Sequence, residues 1–260
     1  MIEICEVTKV YRSRDGQREV KALDGIDMSV GRQEFIALLG PSGCGKTTLL
    51  KILGGLIPVT AGEVRIDGRP VKKPGPDRAI VFQNFALMPW ANVLTNVAFG
   101  LELRGVPKEE RQEKARVLLK TVGLTGFEDA YPRHLSGGMQ QRVGLARALA
   151  VNPDTLLMDE PFGALDAQTR RVMQEDLIRL HERDPKTVVF VTHSMDEAVR
   201  LADRILLMCT RPGRIQEEID VPFGRPRPSD YDKTVEFTNL KNDLWDKLKE
   251  MQTIEAASES

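Results

Sequence analysis

A glycine-rich segment between an apolar run and a helical pattern constrains this chain more than any other feature. Residues Phe35–Leu39 are all apolar, and they are followed by Gly40-Pro41-Ser42-Gly43-Cys44-Gly45-Lys46-Thr47-Thr48. The segment fits the pattern G-x-x-x-x-G-K-[ST], in which glycines let successive backbone N–H groups converge on phosphate oxygens at the start of a helix. We therefore predict a strand, a phosphate-binding loop (P-loop) and a helix, with Lys46 on the β- and γ-phosphates and Thr47 on Mg²⁺.

Charge, cysteine content and hydropathy narrow the class of protein. The 37 Lys and Arg residues nearly balance the 38 Asp and Glu residues, so no basic excess points to nucleic acid. The three cysteines, Cys5, Cys44 and Cys209, are far apart and odd in number, which favours a reducing compartment over a disulfide framework. No apolar run approaches the ~18 residues that span a bilayer, and no signal-peptide pattern is present. We expect a cytoplasmic protein whose membrane role, if it has one, comes through a partner.

Strand and helix patterns alternate along the chain. Residues 2–11 favour a strand, 13–16 a turn, and rough alternation from Val20 to Val30 completes an antiparallel lead-in sheet. Further strands are predicted at 62–68, 79–82, 155–159 and 187–192, with helices within 92–133 and at 136–150 and 166–183. This order predicts an α/β fold with a parallel sheet covered on both faces. Beyond residue 223, a linker precedes an amphipathic helix, and 256–260 are expected to be disordered.

An acidic pair follows one of the predicted buried strands. In Leu156-Leu157-Met158-Asp159-Glu160, the strand delivers two carboxylates to its carboxyl end, where ligands of open α/β sheets bind. Asp159 can hold Mg²⁺ through water, and Glu160 can polarise an attacking water as general base. The alternative is an ordinary strand that ends in a solvated acidic pair, and the P-loop elsewhere in the chain disfavours it.

The segment Leu135-Ser136-Gly137-Gly138-Met139-Gln140-Gln141-Arg142 resembles the signature of the ATP-binding cassette (ABC) ATPases, which reads LSGGQ and is followed by a helix. Met139 stands where the family has glutamine. Ser136 and the backbone of Gly137 and Gly138, at a helix N-terminus, suffice to grip a phosphate. The resemblance extends from Tyr11 to at least Thr210, with the family's motifs in the family's order.

The resemblance implies roles for four further positions. Tyr11 looks like the aromatic residue that stacks on adenine, although it could instead be a core tyrosine. Gln83 looks like the Q-loop glutamine, which contacts Mg²⁺ and the attacking water. Asp166, in Gly163-Ala164-Leu165-Asp166, looks like the D-loop aspartate that bridges two subunits, and it could also cap a helix. His193 looks like the switch histidine that hydrogen-bonds the γ-phosphate, whereas His134 and His181 have no such context.

The resemblance also implies an architecture and a mechanism. The fold would be a P-loop NTPase with a RecA-like core, an antiparallel β lead-in and a helical subdomain at about 88–150, within an ABC ATPase domain of residues 1–223. With one P-loop and one signature, the chain would work as a homodimer that sandwiches two ATP molecules. Lys46, Mg²⁺ and Ser136 would neutralise charge, while Glu160 and His193 would position and activate water.

An apolar segment after Gln83 points to a membrane partner. Phe85-Ala86-Leu87-Met88-Pro89-Trp90-Ala91 looks like the region of ABC importers that receives a coupling helix from an integral membrane permease, with Met88 and Trp90 as anchors. The alternative is that this segment packs inside the helical subdomain. The chain would then lie on the inner face of the cell membrane, with an extracytoplasmic substrate-binding protein acting through the permease.

Three stretches resemble the ATP-binding subunits of nitrate, sulfonate and taurine importers. They are Leu87-Met88-Pro89-Trp90, the eleven residues from Glu160 to Arg170, and Thr210-Arg211-Pro212-Gly213-Arg214. The competing class is a soluble ABC ATPase that acts on ribosomes or DNA, but the chain shows neither a second cassette nor a long coiled coil. A nucleotide-binding module without hydrolysis is disfavoured because Glu160 and His193 are both present.

Overall fold

The computed structural model describes residues 1–13, 18–163, 165–210, 212–228 and 230–258, with only the backbone described at 252 and 254–258. The strands are β1 (Ile2–Arg12), β2 (Glu19–Val30), β3 (Phe35–Leu39), β4 (Ala61–Ile66), β5 (Arg69–Pro70), β6 (Arg78–Val81), β7 (Thr155–Asp159), β8 (Thr187–Thr192), β9 (Arg204–Cys209) and β10 (Arg214–Asp220). The α-helices are α1 (Lys46–Leu53), α2 (Val93–Leu103), α3 (Lys108–Thr121), α4 (Gly137–Ala150), α5 (Ala167–Arg183), α6 (Met195–Leu201) and α7 (Val235–Ser258). The chain divides into two compact units, a first unit of Met1–Gly75 with Asp184–Ser260 and a second unit of Pro76–Arg183.

The antiparallel lead-in predicted from the sequence is present in the first unit. Its strands lie in the order β2-β1-β4-β5, and Tyr11 pairs with Val20 across the first hairpin. Of the predicted turn at 13–16, only Ser13 lies within the described residues. Between β4 and β5, Asp67 and Gly68 both have positive φ, as the predicted Asp-Gly hairpin turn requires.

A second sheet of the first unit carries the P-loop. Strand β3 lies between β8 and β9 and is parallel to both, while β10 pairs antiparallel with β9. Every residue of β3 and β8 is buried, which explains their largely apolar sequences. Because Leu39 pairs with both Thr192 and Leu207, the carboxyl ends of the three parallel strands meet at one edge. The sequence reasoning missed β9, β10 and α6, although the apolar run Ile205-Leu206-Leu207-Met208 was a usable signal for β9.

The second unit combines a parallel strand pair with helices. Strands β6 and β7 are parallel, with Val81 opposite Met158. Helices α2, α3 and α4 share one apolar core, whose fully buried members are Val93, Val97, Ala115, Leu119, Val143 and Ala146. These helices fall within the span predicted to be a helical subdomain. The division of the chain into domains at residue 223 stays a prediction.

The C-terminal segment packs within the first unit. Residues Phe223, Tyr231 and Phe237 form an aromatic cluster with ring centroids 5.6–6.3 Å apart, and α7 buries Leu244. Among the described residues helix α7 continues to Ser258, and the disordered tail expected at 256–260 stays a prediction. Across the described ranges, no helix is long and apolar enough to cross a membrane.

Candidate nucleotide-binding and catalytic site

The P-loop forms the strand, loop and helix unit that the sequence predicts. Gly43 and Gly45 have φ of 87° and 92°, in the left-handed region that favours glycine. A Cβ on Gly45 would lie 2.5 Å from Leu23 Cδ2, and one on Gly40 would lie 2.4 Å from the Met208 carbonyl oxygen. The loop is therefore a cradle of bare backbone at the start of α1, and a phosphate fits such a cradle.

Lys46 is held by the loop that it follows. It is only 5% exposed, and its Nζ donates hydrogen bonds to the carbonyl oxygens of Gly40 at 2.7 Å and Pro41 at 2.9 Å. Cys44 is fully buried, with its Sγ 3.5 Å from Nζ, and burial raises the pKa of its thiol. The ammonium group is thus pre-positioned within the cradle, where a phosphate oxygen is a stronger partner than a neutral carbonyl.

His193, the predicted switch histidine, follows its strand at the same sheet edge as the P-loop. Because Leu39 pairs with Thr192, Gly40 and His193 each directly follow the ends of neighbouring strands. His193 is exposed, and so is Thr47 in the first turn of α1. The first unit therefore brings His193 and the P-loop to one edge, as ligand sites of open α/β sheets require.

The predicted acidic pair lies at the end of β7 in the second unit. Asp159 is buried, whereas Glu160 is half-buried and has a φ of 43°, a strained value for a residue with a side chain. A Cβ on Gly163 would lie 3.8 Å from both Gln83 Nε2 and Glu160 Oε2. The amide of Gln83 and the carboxylate of Glu160 therefore flank the same small space, and strain at Glu160 is typical of a functional position.

The signature segment begins α4. Ser136 is the N-cap, and its Oγ accepts a hydrogen bond from the Met139 amide at 3.4 Å. Ser136 and Gly137 are exposed, so their side of the helix N-terminus is open to an anion. Met139 packs against the core of the helices, which gives an apolar role to the position that departs from the family's glutamine. Gln140, which sequence reasoning did not single out, donates to the Pro132 and Leu135 carbonyls and holds the loop.

The signature and the D-loop are in contact within the second unit. A Cβ on Gly138 would lie 2.5 Å from Thr169 Cγ2, and one on Gly137 would lie 3.6 Å from Leu165 Cδ2. Asp166 accepts a hydrogen bond from the Thr169 amide at 2.9 Å, and this bond holds the pKa of the carboxyl below its ordinary value. The helix-capping interpretation of Asp166 is therefore confirmed. Ala164, in the same loop, lies outside the described residues.

Arg170 fixes the D-loop from the following helix. Its Nη2 donates to the Leu165 carbonyl at 2.9 Å and its Nε to the Phe162 carbonyl at 3.3 Å. Sequence reasoning missed this residue because an arginine on a helix gives no local sign that it binds loop carbonyls. The only signal was its place in the stretch that resembles importer subunits.

Tyr11 lies at the surface. It is 42% exposed, and Lys9 Nζ lies 5.2 Å from the centroid of its ring. The alternative of a core tyrosine was therefore wrong. An exposed aromatic ring can stack on a base, and adenine stacking stays a prediction for this residue.

The apolar segment after Gln83 contains both buried and exposed side chains. Phe85 is buried, as the packing alternative requires, whereas Trp90 is 77% exposed. Arg147 donates hydrogen bonds to the Phe85 and Ala86 carbonyls at 2.6 and 2.7 Å, and the fully buried Asn96 bonds both the amide and the carbonyl of Met88. These polar ties hold the segment in a fixed shape and leave the indole outside it.

Comparisons with a protein-family model and with known proteins agree on one family. Residues 23–163 match the ABC transporter family. An uncharacterized ABC transporter ATP-binding protein of Methanocaldococcus jannaschii is 52% identical over 250 residues, which cover 96% of this chain and 91% of that protein. The taurine import ATP-binding proteins of Rhizobium johnstonii and Burkholderia thailandensis are 48% identical over 225 residues and 51% over 227, covering 86% of each chain.

Solved structures give the same result. A dimeric ATP-binding cassette in a post-hydrolysis state, bound to ADP and Pi, has a TM-score of 0.77 at 36% identity, over 86% of this chain and 100% of that one. CbiO1 of Clostridium perfringens, part of the ABC transporter complex CbiONQ, has a TM-score of 0.73 at 27% identity, over 85% and 88%.

A P-loop, a signature helix and a strained acidic strand end on this fold define an ATP-hydrolysing cassette. The chain belongs to the ABC transporter family as one of its ATP-binding proteins. The predicted fold, an α/β P-loop NTPase of the ABC type, is confirmed, and so is the predicted ATPase class.

Proposed function

We propose that this chain is the ATP-hydrolysing subunit of an importer for a small sulfonate or oxyanion, with taurine as the first candidate. The supporting observation is its 48–51% identity, over 86% of the chain, to the taurine import ATP-binding proteins. The segment around Trp90 is one of the three stretches that resemble nitrate, sulfonate and taurine importers, and Asn96 and Arg147 hold it in shape. We place the protein on the cytoplasmic face of the membrane, where it binds a separate permease.

Hydrolysis is assigned to named side chains. Glu160 takes a proton from the attacking water, whose oxygen then bonds to the γ-phosphorus while the bond to the β–γ bridging oxygen breaks, releasing ADP and phosphate. Lys46 and the backbone amides of the P-loop stabilise the charge on the γ-phosphate, and His193 donates a hydrogen bond to it. Tyr11 stacks on the adenine. Gln83, which flanks the same space as Glu160, orients the water.

Mg²⁺ is assigned to Thr47, Gln83 and Asp159. Hydroxyl, amide and carboxylate oxygens are the hard donors that this ion prefers, and it normally takes one or two carboxylates together with substrate phosphates. When bound, the ion neutralises charge on the β- and γ-phosphates.

Two copies complete the ATP sites. Ser136, Gly137 and Gly138 grip the γ-phosphate held by the P-loop of the partner, and Asp166 lies between the subunits. The close approach of Gly137 to Leu165 and of Gly138 to Thr169 supports this assignment, because it packs the signature against the D-loop. The dimeric cassette structures of relatives at 36–37% identity support a homodimer.

The permease docks at the segment from Gln83 to Trp90, with Trp90 and Met88 as its anchors. Asn96 and Arg147 fix the backbone of this segment, so that the indole is presented rather than folded inward. A large exposed aromatic on a rigid loop is the kind of residue that carries binding energy in an interface. An extracytoplasmic substrate-binding protein delivers the cargo to the permease.

The test is affinity purification of this chain from detergent-solubilised native membranes, followed by mass spectrometry and an uptake assay with radiolabelled taurine. We expect a polytopic membrane protein in equal amount, and taurine uptake that is lost when the gene is deleted and competed by alkanesulfonates. Recovery of ribosomal or DNA-repair proteins without a membrane subunit would contradict the importer. Intact taurine uptake in the deletion strain would contradict the choice of cargo alone.

A further inference from the structure

A buried carboxylate close to the switch histidine has no part in the chemistry assigned above. Glu197 lies in α6 and is only 5% exposed. Its Oε2 accepts a hydrogen bond from the Thr192 hydroxyl at 2.5 Å, and both partners are buried. Burying a carboxylate is costly unless its hydrogen bonds are made, so this contact is a specific feature of the fold rather than an incidental one.

Hydrogen bonds link Glu197 to Thr192 and Ser194, the residues directly before and after His193. The Thr192 hydroxyl oxygen also accepts a hydrogen bond from the amide of Ser194 at 3.0 Å, and Ser194 Oγ accepts one from the amide of Glu197 at 3.4 Å. The residues on both sides of the histidine are therefore tied to the same carboxylate-bearing turn. Thr192 is in addition paired with Leu39 in the sheet, directly before the P-loop.

Helix α6 is itself a fixed support. Arg227, whose side chain is 1% exposed, donates to the Val199 carbonyl at 2.8 Å and also to those of Arg200 and Ala202. Arg200 forms an ion pair with Asp232 at 2.8 Å, with both side chains about nine-tenths buried. The far end of the helix is thus held by the C-terminal segment, so Glu197 has little freedom to move.

We infer that Glu197 is a positioning residue for His193: through the Thr192 hydroxyl it holds the turn that aims the imidazole at the γ-phosphate. The inference rests on the role proposed for His193 and adds a second residue to it. Glu197 acts on the backbone on either side of the histidine and need not touch nucleotide. Because misplacement of a catalytic group by about 1 Å can cost roughly 10²-fold in rate, a loosened turn should lower turnover more than ATP binding.

The first test is the ATPase kinetics of Glu197→Ala, Glu197→Gln and Thr192→Val. We expect Glu197→Ala and Thr192→Val each to lower kcat by about 10- to 100-fold, with KM for ATP within about twofold of wild type. Glu197→Gln keeps an oxygen that accepts the Thr192 hydroxyl, so it should retain most of the rate. Asp196→Asn, which removes an exposed charge from the same turn, is the matched control and should behave as wild type, because its ion pair with Lys241 is exposed and contributes little.

The second test asks whether the effect passes through His193. In a His193→Ala background, Glu197→Ala should cause no further loss, because the group that it positions is gone. An equal loss in both backgrounds would overturn the inference. If Glu197→Ala does not fold, Thr192→Val, which keeps the shape of the side chain, replaces it in the same cycle.

A third readout does not depend on activity. The chain has three histidines, so a ring-labelled histidine NMR spectrum is simple, and His193→Ala assigns one signal. Glu197→Ala should shift or broaden the His193 signal and leave that of His134, in the second unit, unchanged. An unmoved His193 signal would overturn the inference. If wild type hydrolyses no ATP, or His193→Ala is fully active, the proposed role of His193 fails instead.

Discussion

At the scale of the residue, Glu160 offers the sharpest test of the chemistry. Its carboxylate and the amide of Gln83 flank the same small space, and its backbone has a strained φ, as expected for a functional position. Glu160→Gln should lower the rate of phosphate release by about 10²- to 10⁴-fold while keeping nucleotide binding. ATP should then accumulate in a dimer that size-exclusion chromatography detects. Glu109→Gln, an exposed change of the same kind, is the control, and normal turnover of Glu160→Gln would contradict the assignment.

Gly45 tests the P-loop at the same scale. Alanine there would need a left-handed backbone and would place Cβ 2.5 Å from Leu23 Cδ2 and 2.9 Å from the Ala22 carbonyl oxygen. Gly25 also has a positive φ, but a Cβ added to it would meet no atom within 4 Å, so it isolates the backbone cost. We expect Gly25→Ala to cost about 1–2 kcal/mol, a fall of roughly 2–8 °C in Tm.

Gly45→Ala should lower Tm by more than Gly25→Ala and abolish ATP binding, because the clash adds to the backbone cost. Differential scanning fluorimetry with and without ATP measures both effects. Equal Tm values for the two variants, with ATP still stabilising each, would show that the loop relaxes around the added methyl group.

At the scale of the element, the C-terminal segment contains two polar interactions that should differ in their contribution to stability. One is a buried arginine that caps the end of α6, and the other is an ion pair at the surface. Arg227 bonds three carbonyls at the end of α6, whereas Lys247 pairs with Glu217 at 2.9 Å with both side chains partly exposed. A hydrogen bond from a charged donor to a buried acceptor contributes about 1.5–3 kcal/mol, and an exposed ion pair about 0–1 kcal/mol. Arg227→Ala should therefore destabilise the protein by several times as much as Lys247→Ala.

Urea unfolding followed by circular dichroism compares the two variants. If Arg227→Ala and Lys247→Ala lose the same stability, the cap on α6 contributes no more than a surface pair. Glu197 would then need another source of rigidity, so this measurement also bears on the positioning of His193.

The elements that sequence could predict are those with a strong local signal. The P-loop, its all-apolar strand and the Asp67-Gly68 turn each follow from residue types at fixed spacing, and all three appear as predicted. The ties that hold the site do not have such a signal. Arg147, Arg170 and Arg227 each bind carbonyls through long side chains from other elements, and nothing in their neighbours along the chain distinguishes them from surface arginines.

At the scale of the whole molecule, the two tryptophans provide a matched pair. Trp90 is 77% exposed in the second unit and Trp245 is 58% exposed on α7 in the first, and they are the only tryptophans of the chain. If the permease docks around Trp90, Trp90→Ala removes an aromatic anchor from that interface, and truncation of such anchors commonly costs about 2 kcal/mol or more in binding. Trp245→Ala removes a side chain of equal size elsewhere.

We expect the isolated Trp90→Ala protein to keep its ATPase rate. The amount of membrane subunit that is purified with it should fall at least about tenfold, in line with a loss of about 2 kcal/mol in binding free energy. Taurine uptake should fall in parallel, because hydrolysis no longer drives the permease. Trp245→Ala should match wild type in all three assays. Normal taurine uptake by Trp90→Ala would contradict docking of the permease around Trp90. A defective Trp245→Ala with a normal Trp90→Ala would indicate that the permease docks on the C-terminal helix.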